Sequence, residues 1–252
     1  MYLLEAEDVK VVETTPIEKV DHCLLCFPDV GLVGLIAVNH IVNALGLVDS
    51  GYVESDYLPP VIVVHQGDPK APMRIYRKEG LVIITSEVPI QPMVIPFLSR
   101  KIVDWTKTKG SQLLITLSGV AVQNRLEIET PAVYGVGGSP STRELLKKSA
   151  VNLLEEGFMV GAQASIMRES VKANVPSVIL MAQSHSQYPD PGAAASIVSA
   201  LNRLLNLNVE VKGLLEQAEE IRLRMRELMQ RTSKSMRGME KGQEQELPAM
   251  YV

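Results

Sequence analysis

Two cysteines three residues apart, in His22-Cys23-Leu24-Leu25-Cys26-Phe27, and two glycine-rich stretches are the places where residue type and spacing could do chemistry. A Cys-x-x-Cys pair can exchange disulfides or hold a metal. Redox pairs need a helix N-terminus to lower the thiol pKa, and a structural zinc site needs two further ligands at suitable spacing. Neither context is present. On a strand, residues three apart point to opposite faces, so Cys23 and Cys26 read as buried, inert side chains with no metal between them.

The first glycine stretch, Pro28-Asp29-Val30-Gly31-Leu32-Val33-Gly34, links an apolar strand to a helix. Its glycines permit positive φ or close backbone approach, and the helix start beyond could hold an anion; a tight packing turn is the simpler reading. It has neither the G-x-G-x-x-G pattern nor the Gly-Lys-Ser/Thr of a phosphate loop. The second stretch, Tyr134-Gly135-Val136-Gly137-Gly138-Ser139, leads into Ser141, Thr142 and Arg143. These could converge on a phosphate or carboxylate, or simply cap the helix. His185 lies in a polar loop after a strand, where open α/β sheets place their sites. Glu87, Glu127, Glu129 and Asp190 are candidate site carboxylates, yet no nucleophile elbow, catalytic triad order or His-based metal spacing accompanies them. No catalytic set and no cofactor is called for.

The elements that would carry these residues follow from hydrophobic period. Short apolar runs at 23–27, 61–65, 81–86, 112–117 and 177–182 read as strands, and helical spacing marks 31–45, 92–108, 162–173 and 191–205. A further helix begins near Pro140, with Ser141 and Glu144 as an expected capping box, and runs to about Glu156. Strands alternating with helices imply a three-layer α/β domain over 1–205 with a mostly parallel sheet. With 46% hydrophobic but only 4% aromatic residues, the core is built from aliphatic side chains. A formal net charge of −4 gives no basic footprint for nucleic acid or an anionic membrane. The chain shows no ~18-residue apolar span and no signal-peptide start, so the cytoplasm is the expected location.

Beyond 205 the pattern changes. Leu207, Val211, Leu214, Ala218, Ile221, Met225 and Leu228 alternate at spacings of four and three, a heptad seam on a charged helix expected over 206–237. Such a seam packs on its own domain or on another helix, in the same oligomer or a partner. Residues 238–252 read as a flexible tail, polar and glycine-containing. It ends on Met250, Tyr251 and Val252: an apolar residue, an aromatic one and a free carboxylate suited to a charge-assisted bond.

The turn at Pro28, Asp29, Gly31 and Gly34, with Ala37, Asn39 and Leu45 in the helix that follows, resembles the proteasome assembly chaperone family in its archaeal form. Gly161-Ala162-Gln163-Ala164 and Val175-Pro176-Ser177-Val178-Ile179-Leu180 fit the same family, so the resemblance covers most of 1–205. It implies an α/β fold similar to nucleoside phosphorylases, homo-oligomers and no established catalytic role. It also implies a partner, the outer ring of the proteasome core particle. Met250-Tyr251-Val252 matches the hydrophobic-tyrosine-any ending of several archaeal members, which enters pockets between ring subunits.

The expectation is therefore a non-enzymatic, homo-oligomeric proteasome-binding protein, an assembly chaperone or an ATP-independent activator. The competing reading is a binder or enzyme for a phosphate, nucleoside or carboxylate, using the 135–143 loop with Arg143 and His185.

Overall fold

The computed structural model describes residues 9–246. Its strands are β1 (Val9–Glu13), β2 (His22–Cys26), β3 (Val48–Ser55), β4 (Val63–His65), β5 (Asp68–Lys70), β6 (Met73–Lys78), β7 (Leu81–Ser86), β8 (Leu113–Ala121), β9 (Val133–Gly137), β10 (Asn152–Leu153) and β11 (Ser177–Ser184). The helices are α1 (Val33–Leu45), α2 (Ile95–Thr108), α3 (Pro140–Lys148), α4 (Ala162–Ala173), α5 (Pro191–Leu205), α6 (Lys212–Glu216) and α7 (Ala218–Glu246).

Nine strands form one sheet in the order β1-β3-β6-β7-β2-β8-β11-β9-β10, with β4 and β5 as a separate ribbon. The sheet is mixed, which corrects the expectation of a mostly parallel one. The central run β7-β2-β8-β11 is parallel. On one side β1, β3 and β6 are antiparallel neighbours, and on the other β9 runs antiparallel to β11. The reason is the length of the connections. Helices return the chain between the central strands, whereas short links join β6 to β7 and make an antiparallel pair the natural one.

Strand β2 shows why the centre is covered on both faces. Leu24 and Cys26 enter a core with α1 and α5, while Cys23 and Leu25 enter a second core with α2 and α4. The alternation places the cysteines on opposite faces, both free and buried, as their spacing requires. Burial pushes the Cys23 thiol up to about 12 and the Cys26 thiol well above its usual value. Fully buried Leu24, Leu25, Ile83 and Ile84 each contribute roughly 1.5–3 kcal/mol relative to exposure.

Helix α5 ends at Asn206 in the left-handed conformation. The chain then folds back: the Asn202 side chain donates to the Val209 carbonyl (2.8 Å) and accepts from its N–H (3.1 Å). The expected single helix over 206–237 is replaced by this turn, the short α6 and then α7. The left-handed Asn206 and the break between α6 and α7 at Gln217 interrupt the first repeats. From 218 the sequence is rich in Glu, Lys, Gln, Met and Arg, all good helix formers, and the helix passes the expected boundary at 237 to reach Glu246. Within this chain the seam does not stand free. Leu214 is buried, and Leu207, Val211, Ile221, Met225 and Leu228 are partly buried against the α1–α5 core, with Met229 buried beside them. Met250, Tyr251 and Val252 lie outside the described residues.

Candidate functional site

Because β7, β2, β8 and β11 are parallel, the loops that follow them gather at one edge of the sheet. The turn at 28–34 is at the centre of that edge. Gly31 has φ +62°, and a Cβ there would lie 1.9 Å from the Ser184 Oγ of β11. A Cβ on Gly34 would lie 2.8 Å from both the Cys26 Sγ and the Leu117 carbonyl oxygen. The glycines therefore serve close packing of the turn on β8 and β11.

Asp29 in this turn accepts a hydrogen bond from the Ser118 Oγ of β8 through Oδ2, while its Oδ1 is enclosed without a partner. Burial pushes its carboxyl up to about 8, against the lowering pull of hydrogen bonds from Ser118 and the Gly119 backbone. The group is thus largely a neutral acid near pH 7.

Asp190 is placed differently. It is fully buried and pairs bidentately with Arg125, Nε to Oδ2 at 2.7 Å and Nη2 to Oδ1 at 2.9 Å. It also accepts from Ala193 N–H at the start of α5 and from His185 N–H. Its own N–H donates to the Gly31 carbonyl (2.9 Å). Through its carboxylate and its N–H, Asp190 stitches together the loops after β2, β8 and β11. Arg125 was not singled out in the sequence, where nothing marks a pairing across 65 positions.

The other candidate carboxylates do not join them. Glu87 bonds His65 Nε2 at 2.9 Å and pairs with Arg74, whereas Glu127 and Glu129 are exposed. Among the described residues no three His, Cys, Asp or Glu side chains group as metal ligands.

The second glycine stretch is the strand β9 itself, and it delivers α3 to the opposite edge of the sheet: Gly137 pairs with Val178 at the beginning of β11, while His185 follows its end. At 3.3 Å per residue the two edges are roughly 20 Å apart, so Arg143 and His185 do not form one site. The α3 start is also closed. Ser139 Oγ accepts from Thr142 N–H (3.2 Å) and Thr142 Oγ1 accepts from Ser139 N–H (2.9 Å). This reciprocal box replaces the expected Ser141 and Glu144 pair, because Pro140 occupies the first helical position and makes Ser139 the cap. Arg143 donates to the Gly137 carbonyl (3.3 Å).

A cavity of about 80 Å³ opens beside the first turn. Its wall is formed by residues 27–30, by Pro89, Ile90 and Ile95, by residues 160–163 at the start of α4, and by Thr232 and Met236 of α7. Asp29 is its one ionisable residue among those described. No helix among the described residues is long and apolar enough to cross a membrane.

Known proteins are similar to this chain in sequence and fold. A protein of Methanocaldococcus jannaschii is 29% identical over 231 residues, covering 91% of this chain and 94% of its own. The crystal structure of Pyrococcus furiosus PbaA, described as an archaeal homolog of proteasome-assembly chaperone, is 30% identical with a TM-score of 0.84, covering 90% of this chain and 99% of that one. Pyrococcus furiosus PbaB, described as an archaeal proteasome activator, shares the fold at 20% identity and a TM-score of 0.74, over 88% and 98%. The PAC2 family pattern matches residues 23–229, and with the mixed sheet, the turn at 28–34 and the helices that frame it in place, this chain belongs to the PAC2 family.

Proposed function

We propose that this protein is a homo-oligomeric, non-catalytic partner of the proteasome core particle, assisting its assembly or activating it without ATP. The observation that carries this reading is the likeness to PbaA across nearly the full extent of both chains. In this reading Met250, Tyr251 and Val252 dock in pockets of the outer ring. Met250 buries apolar surface, Tyr251 adds an aromatic body with a hydroxyl, and the Val252 carboxylate accepts a charge-assisted bond. Pro248, which has no N–H to donate, favours an extended approach. Helix α7 supports the reading by carrying the backbone ten residues beyond Met236 of the cavity wall.

A single tripeptide binds weakly because ordering it costs much of the contact energy, and several copies on one oligomer gain through effective concentration. The test compares the intact protein with one lacking residues 250–252, at matched oligomeric state, for binding to archaeal core particles and for peptide hydrolysis by them. Loss of binding on deletion supports docking by the segment, and an accompanying change in hydrolysis adds the activator role. Equal binding by both proteins would move the contact to the folded domain, and binding by neither would end the proteasome reading.

A further inference from the structure

The ribbon of β4 and β5 stands apart from the nine-stranded sheet, and its two edges are protected unequally. Gln66 and Gly67, both with positive φ, make the turn, and His65 faces Asp68, Val64 faces Pro69 and Val63 faces Lys70. In a hairpin closed by two such residues the pair beside the turn exchanges hydrogen bonds and the next pair does not. The backbone groups of Val63 and His65 therefore point into the ribbon, and those of Ile62 and Val64 point out of it. On β5 the outward position is Pro69, which has no N–H to offer.

The side chains follow the same division. Val63 is partly buried and His65 Nε2 bonds the Glu87 carboxylate at 2.9 Å, so their face of β4 is turned to the body of the protein. Ile62 and Val64, on the other face, are 68% and 61% exposed. Among the described residues, no backbone group outside the ribbon bonds Ile62 or Val64.

Strand edges that stay free in native proteins are short or carry charge or proline. The outer strands of the main sheet obey this: β10 has two residues, and β1 carries Lys10 and Glu13. Strand β5 obeys it through Pro69 and Lys70. Strand β4 does not, since residues 61–64 read Val-Ile-Val-Val, and a two-stranded ribbon is by itself marginally stable.

We infer that the β4 edge pairs antiparallel with the same edge of a second copy of this chain. The strand is complementary to itself. A two-fold axis at Val63 sets each Ile62 opposite a Val64 and the two Val63 residues opposite one another. In that register the outward N–H and C=O groups find partners, and the exposed side chains form Ile–Val cross-strand pairs. Residues 59–64 carry no charge, so the copies meet without repulsion, and the edge offers a foreign strand no charge by which to be selected. Both outer strands of the combined sheet are then β5, the protected one. A strand of this length covers less than the roughly 800 Å² per partner of a standard interface, so it is one contact of a larger oligomer. It rests on the homo-oligomer proposed above and not on binding to proteasomes.

The experiment determines subunit number by sedimentation velocity for the full chain and for Ile62→Lys and Val64→Pro. Lysine sets like charges across the seam, and proline removes an outward N–H that the ribbon itself does not use. The expected result is half the wild-type subunit number in each variant, with unchanged far-UV circular dichroism. Val63→Cys tests the register. Facing Cα atoms in such a pair lie about 4.5 Å apart, within reach of a disulfide, and the native cysteines are buried. Oxidation by diamide should therefore give a reducible covalent dimer of that variant and none of the wild type. An unchanged subunit number in both edge variants, or no covalent dimer, overturns this contact and leaves the homo-oligomer standing. A monomeric wild type overturns both.

Discussion

The turn at 28–34 and the stretch at 134–139 both set glycines between a strand and a helix, yet they reach opposite edges of the sheet, because β2 is parallel to its neighbours and β9 is not. Near the second, the polar side chains find partners within a few residues: Ser139 with Thr142, Arg143 with Gly137. Near the first, the partners come from far along the chain, from Ser118 and Asp190, and Asp29 Oδ1 is left with none. A turn closed by its neighbours starts a helix and does little else. One closed by distant strands is a junction between elements far apart in the chain.

Removing the junction's buried ion pair should have the largest effect. Arg125→Ala leaves Asp190 buried and unpaired, and the denaturant midpoint should report a loss of about 4 kcal/mol. Adding Asp190→Asn should recover part of it, since the stranded charge goes.

Asp29 separates the two turns by pH. Its folded pKa of about 8 lies above the unfolded value of 3.8, so its contribution is fully present below about pH 4 and is lost as pH rises through 8. Unfolding measured across this window should show stability falling steadily as pH rises, with the slope absent in Asp29→Asn.

Gly31→Ala should cost about 2 kcal/mol, from the positive φ and the contact with Ser184. Ser139→Ala, at the locally closed turn, should cost about 1 kcal/mol as a lost helix cap. If Ser139→Ala proved the more damaging of the two, the contrast between junction and local closure would not hold.

Much of this architecture is legible in the sequence, and what is not has identifiable causes. Strands β2, β7, β8 and β11 and helices α1, α2, α4 and α5 are buried, so their apolar period is strong. Strands β3 and β6, reading VDSGYVES and MRIYRK, lie in the antiparallel wing, and their charged and polar residues blur the alternation. Strand β9 is disguised by its glycines, which admit close packing: a Cβ on Gly135 would lie 2.9 Å from the Leu146 side chain. Helix α3 stops at Lys148 because Ala150 takes a positive φ and turns the chain into β10. The Asp29 turn could be located in sequence, but not its unmet oxygen, which exists only once β8 brings Ser118 to it. The apolar seam was equally visible, and its contact with its own domain depends on the turn at Asn206, which no period reveals.

The order of strands has a consequence for how the chain comes to be folded. Strand β2 appears early, at His22–Cys26, yet its two neighbours are Leu81–Ser86 on one side and Leu113–Ala121 on the other. During synthesis it must wait for residue 117 to emerge before its second ladder can close, and β8 must wait in turn for Ser177–Ser184. Contacts so distant in sequence make for slow folding and leave apolar edges bare meanwhile. A protein with this sheet at its heart is itself a demanding client while it is being made.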